Sequence, residues 1–170
     1  MTELVVAALG EYPGRVLLIE PSLPDVAALT SRGTEVLMTY RARRKAKAAC
    51  AGTSRAPRSA VALSAYGDAE SQPFAPGAFD SVVCFEGLPP GGSVVGLRHL
   101  VRPGGTLVLS SPVRDGVAGG AAALVRRAAR KGTLPLASDL TAAMLMAGVR
   151  AVRQAAVKHS MIPMVVTWGE

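Results

Sequence analysis

Short apolar runs that alternate with polar or amphipathic stretches constrain the fold of this chain more than any other feature of its sequence. The run Arg-Val-Leu-Leu-Ile at 15–19 is continuously apolar after its first residue, which is typical of a strand buried on both faces. Similar runs follow it along the chain. The predicted strands are residues 15–19, 35–39, 59–66, 80–85, 106–110, 149–157 and 162–168.

The stretches between these runs predict helices. Their ranges are 25–31, 41–50, 93–101, 116–131 and 139–147. Pro24 and Gly33 flank the first helix in the usual order, and Ser138 or Asp139 is the expected N-cap of the last. Strands alternating with helices predict one α/β domain over residues 1–170, with a doubly wound, mostly parallel seven-stranded sheet. The last two strands predict a C-terminal antiparallel hairpin at its edge.

The composition excludes several other classes of protein. The chain is 49% hydrophobic and 18% charged, which is typical of a globular protein rather than a disordered one. Cys50 and Cys84 lie in no metal-binding spacing and cannot form a disulfide framework, so neither a metal site nor a disulfide is expected. No run approaches the ~18 apolar residues that a membrane span needs, and no basic residues precede the run at 4–9. We therefore expect a cytoplasmic protein.

Two blocks in the middle of the chain carry a resemblance. The first is Gly67-Asp68-Ala69-Glu70, Pro73-Phe74 and Phe79-Asp80-Ser81-Val82-Val83, and the second is the segment 98–109 with Leu100-Val101-Arg102-Pro103-Gly104-Gly105-Thr106. In this order and spacing they resemble the class I S-adenosylmethionine-dependent methyltransferases of the small, ubiquinone-biosynthesis-like type. The resemblance implies a Rossmann-like sheet, whose ligands bind beyond the carboxyl ends of the strands, and S-adenosylmethionine as the cofactor of an active protein.

The loop after the first predicted strand departs from that family. The resemblance implies glycines spaced Gly-x-Gly-x-Gly, because the backbone must approach the cofactor without intervening Cβ atoms. Glu20, Ser22 and Pro24 stand at those positions, and Leu18 stands where an acidic residue usually precedes them. Pro21 and Pro24 also remove two N–H donors. The carboxylate of Glu20 would lie close to that of the cofactor.

The next strand departs in the same way. The resemblance implies an acidic residue at its end that bonds both ribose hydroxyls, and Tyr40, which stands there, cannot accept two such bonds. Asp68, at the position that contacts the adenine amine, persists, with Ala69 beside it. If a cofactor binds, its predicted contacts are Asp68, Ala69, Glu20 and Ser22. The departures predict that none binds.

A second register is also open for the first strand. Residues 17–22 also resemble the family's second strand, with Glu20 as the ribose acid. That register leaves about fourteen residues ahead, too few for a strand, a glycine loop and a crossover helix of at least ~10–12 residues. The first register is favoured, and neither gives a complete cofactor site.

Few residues suggest catalysis. Glu86, just beyond the fourth strand, is a weak candidate for a base on the acceptor side, against the simpler interpretation of a solvated loop carboxylate. His99 and His159 are expected on the surface or in packing roles.

Two basic clusters account for much of the net charge of +7. They are Arg41, Arg43, Arg44, Lys45 and Lys47 on one helix, and Arg126, Arg127, Arg130 and Lys131 on another. A stripe of Ala42, Ala46 and Ala49 would pack on the sheet and leave the first cluster outside. A solvated helix face is the simpler interpretation. The lack of interspersed acidic residues is the argument for the alternative, an anionic partner such as a phosphate backbone or an acidic protein surface. The lack of interleaved aromatic residues argues against base stacking.

Three hypotheses follow. The first is a non-catalytic protein of this fold that acts as a scaffold, regulator or subunit, with a protein partner or as a homo-oligomer. The second is an active methyltransferase with a divergent cofactor loop. The third is an anion- or nucleic-acid-binding module. The changed loop favours the first, since function must be argued from the site rather than from the fold.

Overall fold

The computed structural model describes residues 1–11, 14–32, 34–40, 44–48, 62–66, 74–85, 87, 93–116, 119–121, 134–157 and 163–170, with backbone alone for 23 and 62–66. The helices are α1 (Thr2–Leu9), α2 (Leu23–Thr30), α3 (described over 44–48), α4 (Val94–Leu100) and α5 (Ala137–Met146), and 119–121 are also helical. The strands are β1 (Arg15–Ile19), β2 (Glu35–Tyr40), β3 (Ala62–Tyr66), β4 (Phe79–Cys84), β5 (Val101–Pro112), β6 (Arg153–Ala156) and β7 (Met164–Gly169).

The seven strands form one sheet in the order β3-β2-β1-β4-β5-β7-β6. The first five are parallel, β7 runs antiparallel to β5, and β6 runs antiparallel to β7. At the centre, Leu18 of β1 lies beside Met38 of β2 and Val83 of β4. The predicted α/β fold, its mostly parallel seven-stranded sheet and the terminal hairpin are confirmed. The central place of β1 also supports the register that makes it the first strand.

Helices cover both faces of this sheet. Val16 and Leu18 of β1 belong to a core cluster shared with α1, α2 and Ala46 of α3. Leu17 and Ile19 point to the opposite face and pack with α4 and α5. Because successive side chains of a strand alternate between faces, a strand covered on both sides must be apolar throughout. This requirement explains the unbroken apolar run of β1.

Helix α1 was not predicted from the sequence. Its apolar run is too short for periodicity alone to separate a helix from a strand. Val5 and Leu9 are buried in the core cluster under α1, and the helix ends at Gly10, whose φ is +76°. Among the described residues, no helix has the length and apolar character needed to cross a membrane.

Several predicted boundaries shift in the structure. Helix α5 starts at Ala137, so the expected cap at Ser138 or Asp139 is wrong: Asp139 lies one turn in, and its Oδ2 accepts the N–H of Leu136 at 2.9 Å. Pro24 lies within the first turn of α2 rather than ahead of it. The sixth strand is only Arg153–Ala156 because Gly148 and Ala151, at φ +78° and +49°, turn the chain before it.

The parts of the two resembling blocks around Asp80 and Arg102 meet at the amino ends of the strands. Asp80 Oδ2 accepts the N–H of Arg15 at 2.5 Å, and Asp80 Oδ1 pairs with Arg102 Nη1 at 2.5 Å. A Cβ atom on Gly105 would collide with the Asp80 carbonyl oxygen. These residues therefore fix the start of β1 against β4 and β5. The residues that resemble the family here, Asp80, Arg102 and Gly105, have a structural role.

Candidate functional site

The carboxyl edge of the sheet holds a reversal of strand order between β1 and β4. From β1 the chain proceeds outward to β2 and β3, then crosses to β4 on the other side. Connections that leave in opposite directions open a crevice between the two strands, where α/β proteins bind ligands. The loop from Glu20 to Pro24, between β1 and α2, lies at this crevice.

Glu20 has an unusual conformation for a side chain of its size. Its φ is +56°, in the left-handed region that glycine adopts freely and other L-residues adopt at a cost of ~1–2 kcal/mol. It stands at the first of the three expected glycine positions. The backbone turn typical of a glycine is therefore present without the glycine.

The Glu20 carboxylate is paired. Lys45 Nζ of α3 lies 2.7 Å from its Oε2. The Glu20 side chain is 4% exposed and that of Lys45 is 50% exposed, so the pair joins a buried charge to one at the surface. A buried carboxylate without a partner is strongly unfavourable, so Lys45 stabilises the conformation of this loop.

The other end of the loop is fixed by Asp25, whose side chain is buried in the first turn of α2. Asp25 Oδ2 accepts the backbone N–H of Ser22 at 3.0 Å and its hydroxyl at 2.5 Å. Asp25 Oδ1 accepts the hydroxyl of Thr2 at 2.6 Å. Ser22 and Asp25 thus form a capping box, and the bond to Thr2 ties α1 to it.

The end of β2 contributes little polar surface to the crevice. Tyr40 is 3% exposed and belongs to the core cluster under α1 and α2, with its hydroxyl 3.7 Å from the sulfur of Met38. The hydroxyl of Thr39 is also buried, and it has no hydrogen-bond partner within the described residues. An unsatisfied buried hydroxyl costs free energy, and the hydroxyl of Thr39 would be stabilised by a hydrogen-bond partner.

Solved structures provide a comparison for this geometry. The chain superimposes on an S-adenosylmethionine-dependent methyltransferase from Thermotoga maritima, a possible histamine N-methyltransferase, with a TM-score of 0.70 at 15% identity, over 92% of this chain and 81% of that one. Geranyl diphosphate C-methyltransferase from Streptomyces coelicolor superimposes with a TM-score of 0.74 at 12% identity, over 99% of this chain and 77% of that one. The [4+2]-cyclase SpnF superimposes with a TM-score of 0.76 at 14% identity, over 98% of this chain and 78% of that one.

This chain has the class I methyltransferase fold. The strand order and the solved structures agree on that point. Neither a comparison with protein-family models nor one with curated proteins finds a match for the sequence.

The described part of the loop leaves few backbone N–H groups for a ligand. Pro21 and Pro24 have no N–H, the N–H of Glu20 donates to the Thr39 carbonyl at 2.9 Å, and that of Ser22 donates to Asp25. Four of the five residues from Glu20 to Pro24 therefore offer no N–H to a ligand. Tyr40, in the core, does not present a ribose-binding group. The same part of the chain holds no cluster of His, Cys, Asp or Glu suited to a metal ion.

The structure places only some of the predicted site residues. Glu20 and Ser22 lie in the loop, and Arg44 and Lys47 are exposed on α3. Lys45, from the same cluster, forms an ion pair with Glu20. Ala46 is buried as its stripe predicted, and His99 is exposed. Several predicted residues lie outside the described part of the chain: Asp68, Ala69, Glu86, Arg41, Arg43, Arg126, Arg127, Arg130, Lys131 and His159.

Sequence reasoning did not predict that Asp25 and Lys45 shape the loop. Asp25 had a local signal, the spacing Ser22-x-x-Asp25 of a capping box. Lys45 had none, because its pairing with Glu20 spans 25 positions and depends on how α3 packs.

Proposed function

We propose that this chain is a methyltransferase-fold protein that does not transfer methyl groups and that acts through contacts with other proteins. The observation that supports this most is the ion pair of Glu20 and Lys45 at the end of β1. It stands at the place where the family's glycine loop would receive S-adenosylmethionine.

The argument is electrostatic and steric. A bound cofactor would bring its own carboxylate toward the buried carboxylate of Glu20, and two like charges in a poorly solvated site repel strongly. If Glu20 moved aside, it would also leave Lys45 and give up the contact that compensates its burial. Two prolines limit the ability of the loop to adapt, because each has a fixed φ. The polar groups of the loop therefore serve contacts within the chain, from Glu20 to Lys45 and from Ser22 to Asp25.

Calorimetric titration with S-adenosylmethionine and S-adenosylhomocysteine tests this function. We expect no binding to the wild-type chain at ligand concentrations up to about 1 mM, a free energy weaker than ~4 kcal/mol. The matched variant is Glu20→Gly/Ser22→Gly/Pro24→Gly, which restores the family's glycine spacing. A dissociation constant of about 10 μM or tighter for the wild-type chain would refute the proposed function.

An active enzyme with a divergent loop is the second candidate function. Two observations favour it. The left-handed turn at Glu20 keeps the backbone path of a glycine. The buried hydroxyl of Thr39, at the end of β2, has no hydrogen-bond partner among the described residues, so a ligand would displace none by bonding to it. The same titration separates it from the first, because this candidate requires binding without any restored glycine.

A further inference from the structure

A cavity lies at the amino edge of the sheet, where the last turn of α1 ends beside β5, β6 and β7. Its volume is about 260 Å³. Pockets that hold cofactors and drug-sized ligands have ~300–1,000 Å³, so this cavity suits a smaller molecule. Its lining comes from the end of α1, from Thr106 and Ala151, and from residues of β6 and β7. The crevice beside Glu20 is at the opposite, carboxyl edge, so the two sites are separate.

The register of the sheet places three side chains of the lining next to one another. Trp168 of β7 lies opposite Val108 of β5 on one side and opposite Arg153 of β6 on the other. Val108 belongs to the core cluster under α1. Thr106 is two residues earlier in β5 and points to the same face, because side chains alternate along a strand. Arg153, Trp168 and Thr106 therefore share the face of the sheet on which α1 packs.

These three side chains form the donor side of the cavity. Within the described part of the chain, the guanidinium of Arg153 has no ion-pair or hydrogen-bond partner, and neither the indole N–H of Trp168 nor the hydroxyl of Thr106 has one. All three groups can donate hydrogen bonds, and Arg153 adds a positive charge. A carboxylate is the small group that such a set of donors binds best, since hydrogen bonds between charged partners are the strong ones.

The opposite side of the cavity carries acceptors and negative charge. Glu170 lines it, and its main chain is fixed by bonds with the main chain of Arg150: the N–H of Glu170 donates to the Arg150 carbonyl at 2.9 Å, and the N–H of Arg150 donates to the Glu170 carbonyl. The Glu170 side chain pairs with no cation of the described residues. The carbonyls of Ala8 and Leu9, at the end of α1, accept no hydrogen bond from those residues either. The carboxyl end of a helix attracts cations, so this side suits an ammonium group.

We propose that this cavity binds a small zwitterion, a free α-amino acid with an apolar side chain. Arg153 and Glu170 line the same cavity with opposite charges, yet no ion pair joins them in the described structure. An anion alone would also face Glu170, and a cation alone would face Arg153, so the matching ligand carries both charges. Ala7, Ala8 and the ring of Trp168 supply the apolar part of the lining. This site goes beyond the proposed function and does not depend on it.

Titration of the full chain with L-leucine tests this proposal. Trp168 is the single tryptophan of the chain and lines the cavity, so its fluorescence should change as the ligand binds. We expect a saturable change with a dissociation constant of about 1 mM or tighter. Isocaproate lacks the ammonium group of leucine and isoamylamine lacks its carboxylate. Each should bind at least about tenfold more weakly, because it loses the charged hydrogen bonds of one side.

A pair of arginine variants separates the cavity from the general charge of the surface. Arg153→Gln should weaken leucine about tenfold and leave the binding of isoamylamine no weaker, because only leucine carries the carboxylate that Arg153 binds. Arg150→Gln is the matched control, since Arg150 is also exposed but its side chain does not line the cavity, and it should leave leucine binding unchanged. Both positions are exposed, so both variants should fold, which their unfolding midpoints will verify.

Four results would overturn the proposal. The first is that neither Trp168 fluorescence nor equilibrium dialysis detects leucine binding up to about 10 mM. The second is that isocaproate or isoamylamine binds as tightly as leucine, which would assign the cavity to a ligand of one charge. The third is that Arg153→Gln binds leucine like the wild type, and the fourth is that Arg150→Gln loses as much affinity as Arg153→Gln.

Discussion

The two ends of β1 differ in how closely they follow the methyltransferase family. At the amino end, Asp80 binds the backbone of Arg15 and the guanidinium of Arg102, within the blocks that resemble the family. At the carboxyl end, Glu20 and Pro24 stand where the resemblance implies glycines, and Lys45 and Asp25 hold the loop in place. The first end positions strands and the second would hold a cofactor. A fold is therefore specified by contacts other than those at its ligand-binding edge, and the two can vary separately.

The difference also shows in what each end tolerates. At the amino end, close backbone approach requires a glycine at Gly105. At the carboxyl end, Glu20 takes a conformation suited to glycine and offsets the strain through its ion pair. Substitutions at the two ends measure these requirements separately.

The largest effect is expected at the amino end. In Gly105→Ala the new Cβ would meet the Asp80 carbonyl oxygen and would lie 2.8 Å from Cγ1 of Val101, so β4 and β5 must shift apart. We expect the free energy of unfolding to fall by about 3 kcal/mol in urea denaturation. Gly104→Ala is the control: it meets nothing within 4 Å and should cost only about 1 kcal/mol, for its φ of +75°. Equal losses in both variants would show that the close contact is not what the fold requires.

A smaller effect is expected at the capping box of the altered loop. Asp25→Ala removes the acceptor of the Ser22 and Thr2 hydrogen bonds from a buried site. The free energy of unfolding should fall by about 2 kcal/mol. Asp139→Ala, which removes a similar bond from the exposed start of α5, should cost about 0.5–1 kcal/mol. If the two variants lose the same stability, the hydrogen bond from Thr2 to Asp25 does not contribute to the free energy of unfolding.

The smallest effect isolates the backbone strain at Glu20. Glu20→Ala and Glu20→Gly both remove the ion pair with Lys45, but only glycine adopts a φ of +56° freely. The glycine variant should therefore be about 1 kcal/mol more stable than the alanine variant in the same measurement. Ala151→Gly, at a φ of +49° away from the loop, should gain a similar amount. Equal stability of the two Glu20 variants would contradict a strained turn.

Much of the fold followed from the sequence because its signals are local. Each strand is a short apolar run, Pro24 and Gly33 flank the first predicted helix, and the Pro-Gly-Gly turn of β5 needs only neighbouring residues. The departure of the loop from the resemblance was also local, since Glu20, Ser22 and Pro24 occupy the three alternate positions at which glycines are implied. What local patterns could not give were element boundaries such as the start of α5, where Leu136 rather than Asp139 is the cap.

Only the tertiary structure decided which distant residues complete the loop and which surfaces stay open. Thr2 and Asp25 are 23 positions apart, and Glu20 and Lys45 are 25 apart, so their contacts exist only once helices pack on the sheet in one register. The exposure of Val95 and Met146 likewise depends on which faces α4 and α5 turn inward. The sequence by itself predicted the sheet of the methyltransferase fold and placed Glu20, Ser22 and Pro24 in the loop after β1. Packing determined that the changed loop is tied by Lys45 and Asp25, because long-range ion pairs and exposed faces are properties of the assembled layers and not of any segment.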